Sequence, residues 1–134
     1  MFAKLTRRVL LATALLAGTA VVPGIATAAP TAAPDSTMRL TVKSDVLTAN
    51  KFGELKCHPS GGTHQHAAKA CEELEKVNGN FTAMQANLGK VCTLEHQPVT
   101  ATIEGKWRGK EIRYTQTYSN SCTLQVKTGV VFDL

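Results

Sequence analysis

The sequence has no internal repeat and no long low-complexity tract, so it reads neither as a solenoid nor as a linker. It lacks a G-x-S-x-G elbow, and its cysteine count is even, so neither a serine nor a free-thiol nucleophile is marked. Basic residues are scattered rather than gathered on one face, which argues against a nucleic-acid partner. The extended apolar run, Val9 to Val22, is short for a membrane span and has no basic stop-transfer flank. No motif calls for a cofactor. The chemistry has to be sought in the cysteines and the loops.

The first 28 residues read as a secretory signal peptide. Lys4, Arg7 and Arg8 give a basic start, the apolar run follows, Pro23-Gly24 breaks it, and Ala26-Thr27-Ala28 fits an A-x-A cleavage site. An exported, extracellular product with no membrane attachment after cleavage is expected. Three of the 15 Lys and Arg, and none of the 10 Asp and Glu, lie in this leader. The remaining 106 residues therefore carry 12 basic and 10 acidic side chains, a net +2 rather than +5. That length suits one domain with a modest core. Residues 29–37, APTAAPDST, read as a flexible N-terminal arm, which leaves 38–134 as a single domain.

Period-two patterning marks strands. Met38, Leu40 and Val42 share one face, as do Leu55 and Cys57 in a second strand from Phe52. Val99, Ala101 and Ile103 form a third, and Ile112, Tyr114 and Tyr118 a fourth; these two make a hairpin, with a turn at Gly105 and a bend at Gly109. GVVFDL, at the end, reads as a last strand. Between the second and third strands, Ala67, Ala70, Cys71, Leu74 and Val77 recur at helical spacing, with Thr63 placed as the cap and Asn78-Gly79 as the stop. Glu72, Glu73, Glu75 and Lys76 read as its solvated face rather than a catalytic pair. A weaker helical turn is expected over Phe81 to Leu88. The class is α+β.

Cys57, Cys71, Cys92 and Cys122 in an exported chain predict disulfides, and three pairings are open. A competing reading uses Cys57, His58, His64, His66 and Cys71 as a metal site, although their spacing is not a standard zinc pattern. If Cys92 bridges Cys122, then KVCTLEHQPV is fastened before Leu94, and Pro98 biases the chain to extended geometry after it. Such a segment is either a turn with Leu94 packed inward or an extended strand of the kind a protease cleft accepts.

The ordered set Cys57, Pro59, Gly61-Gly62-Thr63-His64, Cys71, Cys92, Pro98-Val99, Gly105, Trp107, Gly109-Lys110, Tyr114, Ser119-Asn120, Cys122 and Val131-Phe132 resembles the Streptomyces-type subtilisin inhibitors, exported inhibitors of serine proteases. The resemblance implies a five-stranded antiparallel sheet with two helices on one side, disulfides Cys57–Cys71 and Cys92–Cys122, and a homodimer. It implies no catalytic residue and no metal. The reactive bond would be Leu94–Glu95, flanked by protease contacts at Lys90, Val91, Cys92, Thr93 and His96, with Pro98 and Asn120 supporting the loop. Leu94 suits subtilisin-like and chymotrypsin-like pockets and not trypsin.

Thr93, Gln97 and Gln65 depart from the family pattern, as do Glu95 and His96, which stand where apolar and aromatic residues are usual. Two further classes are a family member whose loop has drifted, acting as a binding partner or transglutaminase substrate, and an exported metal-binding protein.

Overall fold

Alternation of apolar and polar residues over STMRLTVKS dictates a strand with one dry face, and β1 (Ser36–Ser44) buries Ser36, Met38 and Leu40. In this computed structural model the described residues are 18, 20, 23–30, 34–46, 48, 50–86 and 89–134. The chain divides into two units, Met1–Pro30 and Thr31–Leu134. The signal-peptide expectation over 1–28 falls largely outside the described residues. Among those residues, no helix is long and apolar enough to cross a membrane. The expected arm is shorter than 29–37, because Ser36 and Thr37 already pair with Cys57 and Lys56.

β1 lies at the centre of a five-stranded antiparallel sheet. β2 (Lys51–Cys57) pairs with one side of it, and β4 (Val99–Trp107) with the other. β5 (Lys110–Tyr118) closes one edge as the hairpin partner of β4, and the two-residue β3 (Gly61–Gly62) lies on the other edge against β2. The order is β3-β2-β1-β4-β5. Leu40 stands between Gly53 and Ile103, so the apolar positions of three strands fall on one face. Onto that face pack Ala70, Cys71 and Leu74 of α1 (Ala67–Lys76) and Leu124 of α2 (Ser121–Thr128). Both helices therefore cover the same side. Each large apolar side chain fully buried there contributes about 1.5–3 kcal/mol.

Several details correct the sequence reading. Gly105 is no turn: it lies inside β4 at φ 150°, where a Cβ would run into the Thr37 carbonyl of β1. Thr63 does not cap the helix, since its Oγ1 accepts from Glu54 N at 2.9 Å. The helix starts only at Ala67, because the His64 ring is drawn into the core. His64 Nδ1 accepts from His66 N at 3.0 Å, so the ring proton is on Nε2, which donates to Val131 O at 2.9 Å. Two carboxylates of the solvated face, both partly exposed, also make tertiary contacts. Glu73 accepts from Val130 N at 3.0 Å, and Glu75 accepts from Arg108 and from His58.

Another correction is the end of the chain, where GVVFDL forms no strand. Asn120 caps α2 by accepting from Thr123 N at 2.8 Å, and Gly129, at φ 60°, ends it. Successive turns, Val131 N to Thr128 O and Asp133 N to Val130 O, then tuck Val131 and Phe132 into the core. The weaker helical turn is only a single 3-10 turn, Phe81–Ala83, and Leu88 lies outside the described residues.

Candidate functional site

The chain from Lys90 to Pro98 has no regular hydrogen-bonded structure, and its side chains are exposed except those of Cys92 and Pro98, which are half-buried. Leu94 is 102% exposed and Val91 is 91% exposed, whereas the fold buries most of its other large apolar residues. An inward-packed Leu94 is therefore overturned. Two large apolar side chains three residues apart on one loop thus stand in water, while most of their kind are in the core.

The loop is irregular yet fastened at both ends. Cys92 is bonded to Cys122 in the first turn of α2. On the other side, Gln97 N donates to Ser119 O at 2.9 Å, and the Pro98 carbonyl accepts from Asp45 N at 3.4 Å. Pro98 itself is half-buried at the start of β4. Between these ends lies Asn120, only 7% exposed. Its Nδ2 donates to Thr93 O at 3.1 Å and to Glu95 O at 2.8 Å, the carbonyls on either side of Leu94. Its Oδ1 at the same time accepts from Thr123 N and Thr123 Oγ1. One amide thus uses both ends, capping α2 and bracketing Leu94.

The exposed side chains are arranged as well. Gln97 Nε2 donates to Glu95 Oε1 at 2.8 Å, and Lys90 Nζ donates to Gln125 Oε1 at 3.3 Å. Thr93 and His96 are exposed. Thr123 and Gln125 took no part in the sequence reading, and Ser119 entered it only within the family pattern. Ser119 carried a signal, since it adjoins Asn120 two residues before the loop cysteine. Gln125 carried none, because no element was read over residues 121–128.

The other disulfide joins Cys57 to Cys71, tying β2 to α1. The residues of the metal reading are dispersed. The two cysteines are bonded to each other, His58 lies between Ser36 and Glu75, His64 points to Val131 O, and His66 lies 3.4 Å from Asp133. Among the described residues, no group of three His, Cys, Asp or Glu could hold a metal ion.

A disulfide-anchored loop projecting from an antiparallel sheet with helices on one face defines a class of small, stapled binding proteins. Residues 34–120 match the subtilisin inhibitor-like family, and the chain belongs to it. Subtilisin inhibitor-like protein 5 of Streptomyces fradiae is 43% identical over 79 residues, which is 58% of this chain and 74% of that protein. The subtilisin inhibitor of Streptomyces violaceus is 46% identical over 77 residues, 56% of this chain, and the match spans about half of that protein, 53%. Among solved structures, Streptomyces caespitosus sermetstatin, crystallised in complex with Bacillus licheniformis subtilisin, shares the fold. Its TM-score is 0.58 at 24% identity, covering 75% of this chain and 99% of that one.

Proposed function

We propose that the chain is a secreted inhibitor of subtilisin-like serine proteases that presents the Leu94–Glu95 bond as a pseudo-substrate. The observation that carries this reading is Leu94, wholly exposed between two carbonyls held by one buried asparagine. Family membership supplies the class of partner. Placing a large apolar side chain in a protease specificity pocket contributes about 1.5–3 kcal/mol, and a loop ordered beforehand loses little entropy on binding. Chymotrypsin-like enzymes have a similar pocket and form a second target class. The chain supplies no catalytic group; the reaction belongs to the protease.

The same geometry predicts slow turnover. After attack at the Leu94 carbonyl, the new amino group on Glu95 would normally diffuse away. Here Cys92–Cys122 holds the first half, Gln97 N to Ser119 O holds the second, and Asn120 holds both. Return of that amine to the acyl carbon then outruns hydrolysis. Lys90, Val91, Thr93 and His96 line the contact on either side. Two copies are proposed to associate as a homodimer through the open face of the sheet, and the first 28 residues are proposed to be removed on export.

The test is titration of the protein, recovered from the medium, against subtilisin and trypsin, beside Leu94→Lys. Tight inhibition of subtilisin, trypsin inhibition gained by the variant, and a single slow cut between residues 94 and 95 by mass spectrometry are expected. A loop digested at many bonds without inhibition overturns the reading.

A further inference from the structure

We infer that Glu95 selects the target: the inhibitor fits a serine protease carrying a lysine or arginine on the leaving-group side of its cleft, next to the catalytic centre. This rests on the pseudo-substrate reading of the loop and adds to it the chemistry of the partner.

Glu95 follows Leu94 directly, so any cleft that takes Leu94 must also take this carboxylate. Its backbone is not free to turn away. The Glu95 carbonyl is held by Asn120 at 2.8 Å, and Gln97 N is held by Ser119 O at 2.9 Å. The side chain is held too, since Oε1 accepts from Gln97 Nε2 at 2.8 Å. That bond is to a neutral amide and leaves the charge uncompensated. Among the described residues, no ion pair includes Glu95. The nearby cation on the loop, Lys90, reaches Gln125 instead.

A fixed, unpaired carboxylate beside the principal contact has a clear energetic consequence. Docking strips its water, and an apolar or acidic cleft gives nothing in return. A cationic group there restores the lost interaction and also speeds encounter. The Gln97 contact adds to the selection, because it limits the positions that the exposed carboxylate takes before docking. Glu95 is thus a specificity residue, while Leu94 supplies affinity.

The experiment uses one subtilisin in two forms, differing by a single neutral-to-lysine substitution on the rim of the pocket that receives the residue after the cleaved bond. Inhibition constants are measured for the wild-type protein, Glu95→Gln and Glu95→Lys, each at low and high salt. The wild type should bind the lysine form about tenfold more tightly than the neutral form, with the gap narrowing at high salt. Glu95→Gln should lose the preference and Glu95→Lys should reverse it. A preference that persists undiminished in Glu95→Gln, or a wild type that does not discriminate, overturns the inference while leaving the inhibitor reading intact. Failure of all three proteins to inhibit either form overturns the inhibitor reading itself.

Discussion

Asn120 donates to the Glu95 carbonyl at 2.8 Å from a position 25 residues later in the chain, and the same side chain begins α2. Loop shape and helix stability therefore share one residue, and two substitutions separate them. Asn120→Asp keeps the oxygen that caps the helix and loses the amide that holds the loop. Asn120→Ala loses both. The alanine variant should lose about 1 kcal/mol through the cap alone, seen as a lower Tm, whereas the aspartate variant should retain most of the cap contribution. Both should be cut by subtilisin markedly faster than the wild type. An aspartate variant cut as slowly as the wild type would remove Asn120 from the account of loop support.

The two disulfides should differ in what they protect. By loop length, Cys92–Cys122, separated by 30 residues, contributes about 3.5 kcal/mol, and Cys57–Cys71, separated by 14, about 3 kcal/mol. Their places in the fold point elsewhere. Cys57 is 1% exposed in the core, while Cys92 sits at the foot of the exposed loop. Replacing Cys57 and Cys71 together by alanine should lower Tm and leave the cleavage pattern at the loop unchanged. Replacing Cys92 and Cys122 should convert the loop into an ordinary substrate even at temperatures where the sheet stays folded. Circular dichroism with timed proteolysis followed by mass spectrometry distinguishes the two outcomes.

Where side chains alternate between a dry and a wet face, the sequence was a sufficient guide. β1, β2, β4 and β5 were all marked by period two, and α1 by the spacing of Ala70, Cys71 and Leu74. α2 was invisible because SCTLQVKT has little apolar periodicity and buries only Leu124 and Thr128. Its signals were the cap Asn120 and the terminating Gly129, local features that point to helix ends rather than to a helix body. GVVFDL has the composition of a strand, yet it follows α2 through successive turns, and Val131 and Phe132 enter the core from them instead. Glu73 and Glu75 look solvated from their own helix alone; their partners Val130, Arg108 and His58 lie 57, 33 and 17 residues away. The exposure of Leu94 was open on spacing alone, because no period governs a loop. Its outward direction follows from contacts made by residues 119 to 122, brought alongside by the β4–β5 hairpin.

Gly105 is an interior strand residue with a backbone that side chains rarely adopt, pressed against the Thr37 carbonyl. Gly105→Ala combines an unfavourable φ with a backbone clash across the central strand pair, a loss of about 3 kcal/mol or more. For a domain near 100 residues that is a fall in Tm of more than about 10 °C. Scanning calorimetry checks it. A change within a degree or two would mean that β1 and β4 can separate locally at little cost.

Stability should fall at both ends of the pH range, for separable reasons. Glu75 is partly buried, which pushes its carboxyl up, but hydrogen bonds from Arg108 and His58, with the charges behind them, outweigh burial and hold it below the usual carboxylate range. A depressed carboxyl contributes stability above its unfolded value, near 4.3, and that contribution is lost as pH falls through the folded value. Tyr118 behaves in the opposite sense. Burial, assisted by its 2.6 Å hydrogen bond with Tyr114, raises its phenol well above the ordinary value. The unfolded chain then ionises first, so stability is present below about pH 10 and declines as pH rises above it. In urea titrations across pH, Glu75→Gln should flatten part of the acid limb and lower stability at neutrality, leaving the alkaline limb unchanged. Tyr118→Phe should flatten the alkaline limb alone. An acid limb identical in Glu75→Gln and the wild type would show that other carboxylates govern acid unfolding and that the contact between α1 and the β4–β5 turn contributes nothing measurable.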